Sequence, residues 1–310
     1  MSLNILCLGD LLIDVVVRYD PASGEADTGP DAVRILPGGS AANFAVHAAR
    51  LGANVRFISR VGHDFEGELL VRSLADEGVI SCVRVVDEAP TGRVLVMVDR
   101  HGRRRMWSYP GASRTLSPHD LRPEWFETLR AFHLTGYSLL RDEPREAAMQ
   151  ALALARAHGT YGTYGNQDMQ SKHKVPLCTL DPNPGHLIAD FGPSRFRELL
   201  ASLRFDVLFP NLEEGRLLTG REQPEEIAAD LLALSPVVVL TLGDKGCVVA
   251  SGGELFSVPA VRAQVVDVTG AGDAFAAGFV IEYLRSGDLR QAAHTANRVA
   301  AQVVTRIGAR

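Results

Sequence analysis

The chain has 310 residues, 46% of them hydrophobic, and a formal net charge of −5 with both signs scattered along it. That length supports a large buried core in one α/β unit or two domains, and the lack of a basic face excludes a binder of nucleic acid or acidic lipid. No apolar run reaches the roughly 20 residues of a membrane helix, so no membrane partner is expected, and the start MSLNILCLGD lacks the pattern of a secretion signal, which makes the cytoplasm the expected location.

Cys7, Cys82, Cys178 and Cys247 lie far apart with no CxxC pair, as expected of buried free thiols rather than a redox or zinc site. Residues 3–8 are apolar throughout and run into Gly9 and Asp10, the pattern of a buried parallel strand entering its loop. From Ser40 the run AANFAVHAARLG has helical spacing, is entered through Gly38 and Gly39, and closes on Gly52. Residues 11–37 and 83–112 carry β-branched residues, turn residues and alternation such as RVLVMVD; they predict hairpins, one turning at the HG of residues 101–102, that join into a small sheet.

From about Leu121 strand and helix alternate: AFHLTGYS, a helix over 143–158, PLCTLDPN, a helix over 196–203, FDVLFPN, then VVVLTLG and GCVVAS around the turn GDKG. Such alternation predicts an α/β fold with a mostly parallel sheet covered by helices on both faces. The polar stretch 159–174, with its repeated GTY, is expected as a surface loop or insertion without chemistry. No repeat of 20 to 50 residues suggests a solenoid.

Residues 267–280 read DVTGAGDAFAAGFV, a glycine turn that feeds an alanine-rich helix. Unpaired amides and the positive end of the helix dipole let Gly270, Ala271 and Gly272 bind a phosphate closely. A carboxylate beside such a site repels phosphate, but Asp273 makes sense as a base that takes the proton of an attacking hydroxyl. The bland reading is an Asp that merely caps the helix. Neither GxxxxGK[ST] nor a GxGxxG after the first strand is present, which removes the main support for a P-loop enzyme or a Rossmann dehydrogenase.

DVTGAGDAFAAGF resembles the C-terminal signature of the ribokinase-like (PfkB) carbohydrate kinases, and GGSAANFAVHAARLG resembles their N-terminal one; NLEE and TLGDKG agree with two weaker elements. The resemblance spans nearly the whole chain. It implies a ribokinase-like fold, one kinase domain with a small β lid made from residues 11–37 and 83–112, and ATP with Mg2+ as cofactors. It also implies transfer of phosphate to a small sugar or sugar acid of ribose, fructose or 2-keto-3-deoxygluconate type, with Asp273 as general base. By the same resemblance Asp14, Gly38, Gly39 and Asn43 contact the substrate. Asn211 and Glu214 organise phosphates and magnesium. Thr241, Gly243, Gly246 and Asn297 line the nucleotide.

A monovalent cation, potassium in many relatives, would sit at Asp267 and Thr269 with carbonyls from Val303, Arg306 and Gly308, although the sequence ends at Arg310 where relatives continue. Pairing of two chains through the lid is common in the family. A nucleoside kinase shares both signatures, with Trp107 and Tyr109 as the candidates for stacking on a base. A catalytically silent sugar-binding protein could keep the fold, and retention of Asp273 argues against it. The basic run 103–105 is expected as a solvated hairpin end, DPNP as a stiffened strand end, and the nine histidines form no HxH or HExxH pair, so no histidine metal site is expected.

Overall fold

Strand β1 (Asn4–Leu8) shows what an all-apolar run means: Ile5 and Cys7 enter one core cluster and Leu6 and Leu8 the other, all without solvent exposure. A strand buried on both faces has no polar side to show, so period two vanishes from its composition. Each such aliphatic side chain contributes roughly 1.5–3 kcal/mol on burial. The computed structural model describes residues 3–20, 22, 24, 29, 32–99, 104–158, 161–162, 173–174 and 176–310. The expected turn at 101–102, Arg103, and most of the stretch 159–174 lie outside the described residues.

β2 (Leu12–Tyr19), β3 (Val33–Gly38), α1 (Ser40–Arg50), β4 (Asn54–Gly62), α2 (Phe65–Asp76), β5 (Ile80–Val86), β6 (Gly92–Asp99) and β7 (Arg104–Tyr109) follow in chain order. Beyond them come β8 (Ala131–Thr135), the short α3 (Gly136–Leu139), α4 (Asp142–His158), the two-residue strands β9 (Tyr161–Gly162) and β10 (His173–Lys174), β11 (Leu177–Asp181), α5 (Gly185–Phe191) and α6 (Pro193–Leu203). The chain continues with β12 (Val207–Leu208), α7 (Leu212–Thr219), α8 (Pro224–Leu231), β13 (Val237–Thr241), β14 (Cys247–Ser251), β15 (Glu254–Val258), α9 (Ala271–Ser286) and α10 (Leu289–Val303).

Nine strands form one sheet in the order β15-β14-β13-β12-β11-β8-β1-β4-β5, parallel except where β14 pairs with β13 and β15. One face is covered by α1, α2, α9 and α10 and the other by α4, α6 and α8, which gives the two core clusters. The four cysteines are free, three of them buried. α9 and α10 touch closely because Gly278 has no side chain: a Cβ there would lie 3.1 Å from Ala296 Cα. No helix among the described residues is long and apolar enough to cross a membrane.

A second sheet has the order β3-β2-β6-β7, two antiparallel hairpins joined by the parallel pair β2 and β6. Residues 83–86, expected in this small sheet, run instead in β5 at the edge of the large one, paired with β4. Their β-branched composition suits either sheet, and only the pairing decides. The inner face of the small sheet buries Leu12, Val94 and Val96, while Ile35, Trp107 and Tyr109 are exposed on the outer one.

Candidate active site

A cavity of about 550 Å³ opens where the carboxyl ends of β1, β8, β11, β12 and β13 meet the inner face of the small sheet. Parallel strands end with unpaired backbone and loops on one side, which is why ligand sites form there in such sheets. Asp14, Gly39, Asn43, Asn211, Glu214, Thr241, Thr269, Gly270, Gly272 and Asp273 line it together.

Asp273 sits in the first turn of α9, with Ser40 and Asn43 of α1 against it. Ser40 Oγ donates to Asp273 Oδ1 at 2.5 Å and Asn43 Nδ2 to Oδ2 at 2.8 Å, across 233 and 230 residues of sequence. Asn183 Nδ2 in turn donates to Ser40 Oγ at 3.0 Å. Burial pushes the Asp273 carboxyl up to about 6, against the two hydrogen bonds and the charge of Arg310, which favour its ionised form. A carboxylate so placed is poised to take a proton near neutral pH.

The turn before α9 depends on Gly270, whose φ is +74° and whose Cβ would lie 2.6 Å from Ala309 Cβ. Ala309 is held from behind by His47, whose Nε2–H donates to the Ala309 carbonyl at 2.8 Å; burial lowers His47 to about 4, so the ring is neutral. Gly270 and Gly272 face the cavity, whereas Ala271 does not line it and its amide closes the turn onto Val268 O at 3.3 Å.

Asp14 lies on β2 opposite β3, and Gly38 makes room for its carboxylate: a Cβ at Gly38 would be 2.5 Å from Asp14 Oδ2. Gly39, at φ +104°, presses so close to the Asp10 carbonyl that a Cβ would fall 2.1 Å from it. Asn211 and Glu214 form a capping box on α7, with Glu214 N donating to Asn211 Oδ1 at 2.9 Å and Asn211 N to Glu214 Oε2 at 3.0 Å. They are thus both a helix start and part of the cavity wall.

Burial lifts Glu214 to about 7 and raises Asp181 well above the carboxylate range, with the negative charges of Glu214 and Asp273 adding to the rise at Asp181. Two such oxygen-donor carboxylates on one wall fit Mg2+, a hard cation that takes oxygen ligands and keeps several waters. Asn43 Oδ1 and Asn183 Oδ1 are buried acceptors with no hydrogen-bond partner among the described residues, the capacity a hydroxyl-bearing ligand would use.

Of the other expected residues, Gly243, Gly246, Asn297, Asp267, Val303, Arg306 and Gly308 do not line the cavity. Gly243 and Gly246 shape the turn between β13 and β14; a Cβ at Gly246 would lie 2.1 Å from Val258 O, the atom to which Asn297 Nδ2 donates at 3.4 Å. Asp267 Oδ1 accepts from Thr269 N and Oγ1 at 2.9 and 2.6 Å, and Oδ2 from Gly308 N at 3.0 Å. Val303 ends α10, its carbonyl accepting from Arg306 N at 3.3 Å, so the residues expected around a monovalent cation fall into two bonded groups, Asp267 with Thr269 and Gly308, and Val303 with Arg306.

Ser40, Asp10, Tyr137, Arg141, Asp181, Asn183 and His186 line the cavity although the sequence pattern marks none of them for a site role; Asp181 and Asn183 lie in the DPNP run, expected only as a stiffened strand end. Asp10, Tyr137 and Asp181 each lie at or just after the carboxyl end of a parallel strand, and Arg141 follows the short helix α3 after β8. That shared position was the available signal. Trp107 and Tyr109 point away from the cavity, since alternation along β7 turns Met106 and Ser108 inward instead.

The sequence profile described as pfkB family carbohydrate kinase matches residues 2–310. The chain is 30% identical to a fructokinase of Escherichia coli over all of itself and 95% of that protein. It is 28% identical to an ATP-dependent 6-phosphofructokinase of Thermoanaerobacterium thermosaccharolyticum, over 99% of itself and 89% of that protein. The crystal structure of an adenosine kinase from Sinorhizobium meliloti superposes with a TM-score of 0.86 at 26% identity, covering 100% of this chain and 96% of that one.

Proposed function

We propose, given that this chain belongs to the pfkB family of carbohydrate kinases and is an ATP-dependent kinase, that it phosphorylates a hydroxyl of a small sugar with Asp273 as the base. The observation that carries this reading is the Asp273 carboxylate: buried, lifted to about 6, and gripped by α1 at the very turn where α9 presents its N-terminus.

In the reaction the acceptor oxygen attacks the γ-phosphorus of ATP as its proton passes to an Asp273 oxygen, and the bond to ADP breaks. Asp14 and the unpartnered Asn43 Oδ1 take hydroxyl protons of the acceptor as hydrogen bonds and orient it. Amides at Gly270 and Gly272 face the charge that spreads over the transferring group. Asp181 and Glu214 are the residues that would hold Mg2+, which when bound would neutralise the nucleotide phosphates. Asn211 and Thr241 complete the phosphate wall, and the turn of Gly243 and Gly246 with Asn297 shapes the nucleoside side.

The small sheet acts as a lid that excludes water from the transfer. Its exposed Ile35, Trp107 and Tyr109 support pairing of two copies through the outer face. The loop of Asp267 and Thr269 against Gly308 is the position for potassium. A nucleoside is the second reading, supported by the adenosine kinase likeness. The outward direction of Trp107 and Tyr109 speaks for the sugar, because a nucleobase asks for stacking surface.

The test is ADP release from a panel of sugars, sugar acids and nucleosides, each with and without potassium. Turnover with sugars is expected. A response to nucleosides alone would overturn the acceptor assignment, and no response to any compound would overturn the proposed chemistry of the site.

A further inference from the structure

The acceptor end of the cavity is rich in negative charge. Tyr137 lines it: burial raises its phenol, the negative charges of Asp10, Asp273 and Asp14 raise it further, and Arg141 acts in the opposite sense. Three carboxylates and the Arg141 guanidinium thus share this wall with Tyr137, while Arg310, not part of the cavity lining, bears on Asp14 and Asp273. Arg141 emerges between α3 and α4, and its neighbours Asp142 and Glu143 are engaged elsewhere, by Arg145 and Arg114.

Arg141 Nη1 approaches Asp10 Oδ2 at 3.5 Å, and its guanidinium lies 5.5 Å from the centre of the Tyr137 ring. The side chains are 17% and 9% exposed, so the pair is weakly screened by water. At 3.5 Å the contact is at the limit of a hydrogen bond. Asp10 cancels the charge of Arg141 while leaving most of its fork of donors directed to the cavity. The backbone of Asp10 is held in place by the close approach of Gly39.

We infer that the Asp10–Arg141 pair selects the charge of the acceptor. Masked by Asp10, Arg141 offers hydrogen bonds to an uncharged oxygen, while a phosphate or carboxylate on the acceptor meets three carboxylates, Asp10, Asp14 and Asp273, against two guanidiniums, of which Arg141 is paired with Asp10 and Arg310 bears on Asp14 and Asp273. Unmasked, the same guanidinium is a bidentate anion site. The relatives of this chain are named for uncharged and for phosphorylated sugars, and this pair places the chain with the former. The inference rests on the reading that this end of the cavity takes the acceptor.

The experiment compares kcat/KM for the best uncharged sugar with that for its acid and its phosphate monoester, in the parent enzyme, D10N, R141A and D10N/R141A. The quantity read is the ratio of anionic to uncharged acceptor, which an overall loss of active protein does not move. D10N is expected to raise that ratio on the order of tenfold to a hundredfold, from the removal of one charge a few ångströms away in a poorly screened site, and the double variant to abolish the rise. An unchanged ratio in D10N, or an equal rise in the double variant, overturns the selector. A parent enzyme that phosphorylates no sugar overturns the proposed function instead.

Discussion

Replacing Asp273 by Asn should make an enzyme that is nearly inactive and more stable. The carboxyl rises from an ordinary 3.8 to about 6 in the fold. Because the folded-state value is the higher one, the ionised form is the disfavoured one, and keeping it at neutral pH costs about 3 kcal/mol at 1.36 kcal/mol per unit. An amide removes that cost. The site accommodates it: Asn43 has an unpartnered Oδ1 beside its bonded Nδ2, so a turn of its amide presents an acceptor to the new NH2 group. Ser40 keeps the remaining oxygen.

With the proposed base gone, turnover should fall roughly 10²- to 10⁴-fold. Turnover by a coupled ADP assay and thermal unfolding at pH 7.5 read the two effects side by side. Activity within tenfold of the parent enzyme would refute the role of Asp273 as base, and a lowered melting temperature would refute the burial argument.

Two further outcomes follow from the same geometry. The kcat/KM of the acceptor should fall about tenfold per unit below pH 6 if Asp273 is the base, because a base works deprotonated and burial lifts this carboxyl to about 6; a profile flat to pH 5 would contradict it. Asp14→Ala should raise the KM of the acceptor much more than that of ATP, since Asp14 lies on the small sheet and Thr241 and Glu214 form the opposite wall; equal effects on both would remove Asp14 from the acceptor end.

Much of the site was legible in the sequence because it depends on local chemistry. The glycine turn before an alanine-rich helix marks Gly270 without any coordinates, since only glycine takes φ +74° against Ala309 at no cost. The all-apolar first strand likewise announces a sheet covered on both faces. The edge position of β5 was not legible, because β-branched residues suit both sheets. Nor were the facing directions of Trp107 and Tyr109, which turn on the register of β7 against β6.

What the amino-acid order determined by itself was the family and the glycine turn at the start of α9. What tertiary structure alone decided was the company of the site residues. Ser40 and Asn43 reach Asp273 only because α1 packs on α9, and Asp10, Tyr137, Arg141 and Asp181 meet only because parallel strands release their loops at one end of the sheet. No periodicity along the chain encodes that convergence, since it belongs to the order β11-β8-β1 across the sheet rather than to any stretch of sequence.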